Sequence, residues 1–411
     1  MSPLRRLPLK YRIPLIEGGL SVLSGLRGLA RCKAPPPGGD IRGPLVVSGF
    51  FGEVLGIGRA GDLTADALGA AGLNPRRVQL RPAFRRLLDL HRPAVEARPG
   101  GVWIIHANAP ETEIALMVHP PRMWSTRYRI GYWAWETPEA PAHWVRPARW
   151  MHEIWTPSRF VADSLQAAFD RAGETELGAR LRVMPHPVEA PDIGPDREGF
   201  GLEDGVCYAL TSFDGRSSFA RKNPWAAIEA WRRAFPEPAQ NARLLVRAVQ
   251  IDVDPASARD LRELAAQRPD IVLSTRPLNR ARMWRLLASV DFVVSLHRSE
   301  GFGLVPAEAM AMGRPAVATG WSATGEYIDD TCGAPVSYDL IPVEDASGRY
   351  RGDLFWADPH VDAAARAIRR LTEDHALRER LGQAARIKAR EFTAPWAADA
   401  PLIRNIAARI G

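Results

Sequence analysis

The stretch DFVVSLHRSEGFGLVPAEAMAMGRPAVATGWSATGE, from Asp291 to Glu326, decides how the rest of the chain is read. It opens on an apolar run ending near Leu296, as a strand buried on both faces does. A loop follows that holds Glu300, Gly301, Phe302 and Gly303. Pro306 suits the first turn of a helix and Gly313 its C-terminal cap, so the spacing predicts a helix over 307–312. Two glycines let backbone N–H groups come close to a ligand, and a helix N-terminus favours anions. Glu308 is expected in that first turn, ionised and ready to accept hydrogen bonds. With Glu300 in the preceding loop, chain reversal brings both carboxylates to one cleft, and in an α/β sheet clefts form outside the carboxyl ends of strands. An ordinary loop, with acids at the helix start for capping, is the plainer reading of the same letters.

Upstream of this stretch the alternation continues. Strands lie at 206–212, 243–249 and 271–273, with helices at 223–235 and 281–288 between them. Earlier still, Leu45-Val46-Val47 reads as a strand, followed by a glycine-rich stretch from Gly49 to Gly61 and a helix from about Asp62 to Ala71. Further strands are expected at 102–106 and 128–133, and a helix at 159–172. Strand and helix in alternation indicate a parallel sheet. Between Pro185 and Gly205 the proline and glycine content rises, which marks an interdomain connection. At 411 residues, two domains are the default.

Composition narrows the classes. Hydrophobic content of 46% and charged content of 25% are those of a globular protein. The three cysteines, Cys32, Cys207 and Cys332, have neither disulfide-framework nor zinc-ligand spacing, which suits a reducing compartment. Of the net charge of +7, the leader 1–34 carries +6, with seven cationic side chains against Glu17. The body is nearly neutral, so nucleic-acid binding loses its main support. No run approaches the roughly 18 apolar residues of a membrane span. Leu15, Ile16, Leu20, Leu23, Leu26 and Leu29 approximate one helical face, so the leader is expected either on an anionic membrane surface or folded onto the protein itself.

The quoted stretch resembles the signature of family-4-type retaining glycosyltransferases. That signature has two glutamates separated by seven residues, Gly-Phe-Gly after the first, then Glu-Ala-Met-Ala and Gly-x-Pro. Here these are Glu300, Gly301-Phe302-Gly303, Glu308-Ala309-Met310-Ala311, Gly313 and Pro315. The resemblance implies a GT-B fold, an α/β architecture of two Rossmann-like parallel-sheet domains facing a central cleft. It places an acceptor-side domain at 40–190, a linker at 191–205, a nucleotide-sugar domain at 206–390 and a helix at 391–411 that returns toward the first domain. Glu300 would face the transferred sugar, loop amides from Phe302 to Leu304 would bind sugar and phosphate, and Glu308 would hold the ribose. A second match lies at Phe213–Pro224, where the family uses an arginine and a lysine on the diphosphate. Lys222 fits the lysine; Arg216 and Arg221 both remain open for the arginine. In the first half, Ile130–Glu136, Glu153–Ser158 and Pro185–Val188 resemble a subgroup of the family. Trp135 and Glu136 stand where many relatives carry an acceptor-facing histidine, and Gly58 is read as leaving room for acceptor or phosphate.

The implied partners are a nucleotide-sugar donor and a glycan or lipid-linked acceptor, in bacterial-type surface polysaccharide assembly at the cytoplasmic side of the membrane. The donor is a substrate, so no cofactor is expected. Two patterns are decoys. Gly56-Ile57-Gly58-Arg59-Ala60-Gly61 spells a dinucleotide fingerprint, but it lies about ten residues beyond its strand and no acid ends the next one. Asp252-Val253-Asp254 mimics a metal-binding DxD and reads as a surface turn, so no metal is expected. His106, His119 and His186 lack metal-ligand spacing. The rival readings are an epimerase or phosphorylase on the same fold, and a binding module whose active site has decayed.

Overall fold

The computed structural model describes residues 41–53, 56–80, 99–119 and 124–411, together with Leu15, Gly18, Gly19 and Val22. The expectations for the rest of the leader 1–34 lie outside the described residues. The chain divides into two compact units. One runs up to Pro187 and takes in Ser347–Arg349 and Thr393–Gly411; the other holds Val188–Ala346 and Tyr350–Phe392.

The first unit is built on six parallel strands: β1 (Leu45–Gly49), β2 (Arg76–Gln79), β3 (Val102–Ile105), β4 (Tyr128–Tyr132), β5 (Glu153–Thr156) and β6 (Leu181–Val183), in the order β2-β1-β3-β4-β5-β6. Helices α1 (Gly56–Ala70), α2 (Ala109–Val118) and α3 (Arg159–Arg171) connect them. Ser158 starts α3 by accepting the Val161 N–H at 3.2 Å. Val161, Leu165, Ala168 and Phe169 then fall on its buried face at helical spacing. Because side chains alternate along a strand, the sheet has two apolar faces. Val46, Trp103, Ile105 and Ile154 pack on one. Leu45, Val47, Ile104, Tyr132 and Trp155 pack on the other, where Trp396, Ile403 and Ile406 of the closing segment join them. The Trp396 indole N–H donates to the Pro185 carbonyl at 2.7 Å. Buried Glu153 accepts from Tyr128 Oη at 2.9 Å, Trp155 Nε1 at 2.8 Å and Asn405 Nδ2 at 3.4 Å.

The second unit also has six parallel strands: β7 (Cys207–Asp214), β8 (Ala242–Val249), β9 (Ile271–Ser274), β10 (Phe292–Ser295), β11 (Ala316–Thr319) and β12 (Ala334–Val336). Their order is β12-β11-β10-β7-β8-β9. The chain winds outward from β7 through β8 to β9, then crosses back to place β10 on the other side of β7. The sheet core is a continuous cluster in which Leu244, Val246, Phe292, Val294 and Val317 are fully buried or nearly so. Its helices are α4 (Pro224–Ala234), α5 (Pro255–Ala266), α6 (Arg280–Ser289), α7 (Leu304–Ala311), α8 (Val361–Glu373) and α9 (His375–Ala389). An antiparallel hairpin, β13 (Tyr338–Pro342) with β14 (Phe355–Pro359), follows the sheet.

Most elements named from the sequence appear within a residue or two. Two details are corrected. The first helix begins at Gly56, so Gly56–Gly61 lies in α1 and not in a loop before it. The helix after Gly303 begins at Leu304, which puts Pro306 at its third position and Glu308 in its second turn. Gly303 is what moves the start: at φ +85° it is the N-cap, three residues ahead of the proline. Among the described residues no helix is long and apolar enough to cross a membrane.

The closing segment is expected to carry much of the first unit's stability. Ile403→Ala removes a fully buried side chain and should lower the unfolding free energy by about 2–5 kcal/mol. Urea denaturation followed by tryptophan fluorescence reads this; a loss under about 1 kcal/mol would show that the segment is not a sealing element.

Candidate functional site

The strand order of the second unit reverses between β7 and β10, so the loops after these strands flank a crevice at their carboxyl ends. After β7, Asp214 accepts the Arg216 N–H at 2.9 Å and turns the chain. Gly215 is required there, since a Cβ would lie 2.7 Å from the Gln250 carbonyl oxygen. Ser218, at φ +67°, accepts the Arg221 N–H at 3.3 Å and donates to Asp345 at 3.0 Å. This sets a one-turn helix, Phe219–Lys222, which Asn223 ends at φ +47° before Pro224 opens α4.

The loop after β10 is laced to that turn. Arg298 donates its N–H to the Arg221 carbonyl and its Nη1 to the Ala220 carbonyl, both at 2.8 Å. Arg221, with a side chain 3% exposed, donates Nη1 to the Ser299 carbonyl at 2.8 Å and lies 3.1 Å from Glu300 Oε2. Lys222 Nζ donates to Glu300 Oε1. Glu300 is pinned at the backbone too: its N–H donates to Ser322 Oγ at 3.0 Å, and its carbonyl accepts from Ala323 at 3.2 Å. Arg216 goes elsewhere. Its guanidinium pairs with Asp214, with Nη2 at 2.6 Å.

Burial alone would raise the Glu300 pKa, but the charges of Lys222 and Arg221, with His297, prevail and hold it at about 2. His297 is lowered to about 4, chiefly by burial. Its ring is fixed between Ser295 Oγ at 3.0 Å and Thr324 Oγ1 at 2.9 Å.

Gly301, Phe302 and Gly303 are buried, with Leu304 half-buried after them. The Phe302 ring packs against Tyr327 and Phe392 at centroid distances of 5.7 and 5.3 Å. At Gly303 a Cβ would meet Thr324 Cγ2 and Tyr327 Oη, both at 2.9 Å. Tyr327 Oη in turn donates to the Phe302 carbonyl at 2.7 Å. The loop's shape is therefore set from behind by aromatic packing and by the Tyr327 hydroxyl. Glu308 is buried in α7. Gly313 closes that helix with φ +73°, its N–H reaching the Met310 carbonyl while Arg314 N–H reaches that of Ala309.

The three residues expected on the acceptor side lie in the first unit. Gly58 is inside α1, and a Cβ there would lie 2.7 and 2.8 Å from the Phe50 and Glu53 carbonyl oxygens. The close approach that this glycine permits is thus by the chain's own turn. Trp135 and Glu136, both half-buried, follow β4. The Trp135 indole donates to Thr137 Oγ1 at 2.6 Å and meets Trp144 edge-on.

Sequence reasoning missed a stack in this unit. His106, after β3, lies parallel to Tyr132 at 4.3 Å, and Tyr132 to His186 at 5.2 Å. Tyr132 Oη donates to the Met184 carbonyl at 2.5 Å and lies 2.9 Å from His186 Nδ1. Burial lowers the His106 pKa to about 3 and holds that of His186 well below its ordinary value, so both rings are neutral at pH 7. No spacing signals a contact between residues 80 positions apart. Asp345, which holds Ser218, was missed for the same reason.

The DxD pattern is occupied structurally. Asp252 pairs with Arg262 at 2.9 Å, and Asp254 caps α5 by accepting the Ser257 N–H at 3.2 Å. Among the described residues no group of three or more His, Cys, Asp or Glu is placed to hold a metal.

Residues 196–400 match the family model described as family 4 glycosyltransferase in conflict systems. Among solved structures, a glycosyltransferase from Rickettsia africae is 14% identical, with 89% of this chain and 97% of that chain covered and a TM-score of 0.62. Anabaena Alr3699/HepE, solved in complex with UDP and glucose, is 14% identical over 89% and 98% of the two chains, with a TM-score of 0.57. WaaG, a glycosyltransferase involved in lipopolysaccharide biosynthesis, is 17% identical over 89% and 98%, with a TM-score of 0.52. Among curated proteins no relative matches.

Because the Glu300 carboxyl drops from an ordinary 4.5 to about 2 on folding, its stabilising contribution is complete above about pH 5. It is lost as pH falls through 4.5 toward 2. The stability difference between parent and Glu300→Gln should be flat from pH 7 to 5, then shrink by up to on the order of 3 kcal/mol toward pH 2. Urea denaturation across this range checks it, and a difference independent of pH contradicts the ion-pair assignment.

Proposed function

We propose that this chain, a family-4-type glycosyltransferase with the GT-B fold, transfers a hexose from a nucleotide-sugar donor to a glycan or lipid-linked acceptor with retention of anomeric configuration. The observation that carries this reading is the convergence of Arg221, Lys222 and Glu300 beside the reversal of strand order. Lys222 and Arg221 neutralise the diphosphate as the bond to the anomeric carbon breaks. Arg221 is preferred to Arg216 because it shares Glu300 with Lys222, whereas the Arg216 guanidinium pairs with Asp214. Peptide N–H groups from Phe302 to Leu304 approach sugar and phosphate, and Glu308 accepts hydrogen bonds from the ribose hydroxyls.

Catalysis in this reading is positioning plus stabilisation of the departing charge. The acceptor hydroxyl oxygen bonds to the anomeric carbon, the carbon–diphosphate bond breaks, and the hydroxyl proton passes to a leaving-group phosphate oxygen. No protein base is needed, and no divalent ion, since basic side chains take its place. The HepE complex with UDP and glucose supports a uridine-linked donor. WaaG, with its part in lipopolysaccharide biosynthesis, supports a surface-polysaccharide acceptor. The family description speaks of conflict systems and names no acceptor, so the test is a transfer assay over a panel of nucleotide sugars and acceptor glycans.

With the active donor, Lys222→Ala and Glu308→Ala each remove a hydrogen-bonding charge worth about 1.5–3 kcal/mol. Turnover or donor affinity should fall roughly 10–150-fold, and parent-like kinetics in either variant would refute that residue's role. Transfer should also survive a chelator; loss that magnesium or manganese restores would replace the metal-free mechanism.

A further inference from the structure

We propose that Glu300 is a built-in counter-anion that weakens the hold of Arg221 and Lys222 on a nucleoside diphosphate, so that the site discriminates the sugar-bearing donor from the spent diphosphate. The proposal rests on the transferase reading above and adds a second task for the same carboxylate. Each Glu300 oxygen faces its own cation, Oε1 the Lys222 ammonium and Oε2 the Arg221 guanidinium at 3.1 Å. The carboxylate is buried, and its backbone is tied on both sides to the 322–323 turn. Arg221 is equally fixed, because its Nη1 also serves the Ser299 carbonyl and its own carbonyl accepts from Arg298. The carboxylate therefore stays with the cations when an anion approaches.

Two cations and one carboxylate leave a single positive charge for the two phosphates to meet. Like charges a few ångströms apart repel more strongly in a partly buried site than in water, so Glu300 opposes every diphosphate that enters. A donor offsets this repulsion, because its sugar hydroxyls donate hydrogen bonds to the same carboxylate. The leaving diphosphate has no sugar and meets the repulsion alone. Its release is favoured once transfer is complete, which matters because product release limits many enzymes.

The test is calorimetric titration of the full chain with UDP, GDP and ADP, and with uridine, guanosine and adenosine. The parent is compared with Glu300→Gln and Glu300→Ala, each checked by thermal unfolding so that either folded variant serves. A variant without the carboxylate should bind the preferred diphosphate at least about tenfold tighter, the equivalent of about 1.4 kcal/mol. Its affinity for the matching nucleoside should not change, and its turnover with the sugar donor should fall. A diphosphate bound no more tightly than by the parent would overturn the proposal, as would a nucleoside that gains affinity in parallel. A parent that binds none of the three diphosphates would overturn the transferase reading and this proposal together.

Discussion

The second unit depends on β7 and β10 being neighbours although β8 and β9 lie between them in the chain. Crossover helices on either side of such a reversal leave in opposite directions, and the two loops between them border one crevice. Here they are joined by backbone and guanidinium hydrogen bonds from Arg298 to the Ala220–Arg221 turn. That lacing brings Lys222 to Glu300 across 78 positions of sequence. The carboxylate then stays ionised despite burial because two cations reach it from the neighbouring loop.

The loops around this junction hold unusual backbone. Ser218, Asn223, Gln250 and Ser322 are not glycine, yet all have positive φ, and they follow β7, β8 and β11 at the carboxyl edge of the sheet. Such conformations cost about 1–3 kcal/mol each and persist only where their surroundings over-determine them. Ser218 is held by Arg221 N–H and Asp345, and Ser322 by Glu300 N–H. The hydroxyls that fix the strained residues are therefore the same groups that aim the charged ones.

The parallel α/β character and most strand positions of both units were legible because buried parallel strands are continuous apolar runs, as in Val102–Ile105 and Phe292–Ser295. Glu300, Lys222 and the glycine loop were legible because their local order is distinctive. The start of α7 was misjudged because Pro306 is a familiar N-terminal signal, whereas Gly303 as N-cap depends on the space left by Thr324 and Tyr327. The His106–Tyr132–His186 stack and the Asp345 latch arise only when distant strands or loops meet. No periodicity encodes them. The hairpin β13–β14 went unread because exposed Leu340 and Phe355 stand beside buried Trp356 and Ala357, with no regular alternation to set a pattern.

The first unit is discontinuous in the chain, and this has a consequence for biosynthesis. One face of its sheet, with Leu45, Val47, Ile104 and Trp155, is covered by Trp396, Ile403 and Ile406. Those three residues leave the ribosome only after the whole of the second unit. At typical elongation rates of about 5–20 residues per second, the roughly 200 residues between Val188 and Phe392 keep that face without its cover for about 10–40 seconds. The unit that emerges first is thus the last to close, and for that interval the apolar face around Val47, Ile104 and Trp155 is the surface on which chaperones and aggregation compete.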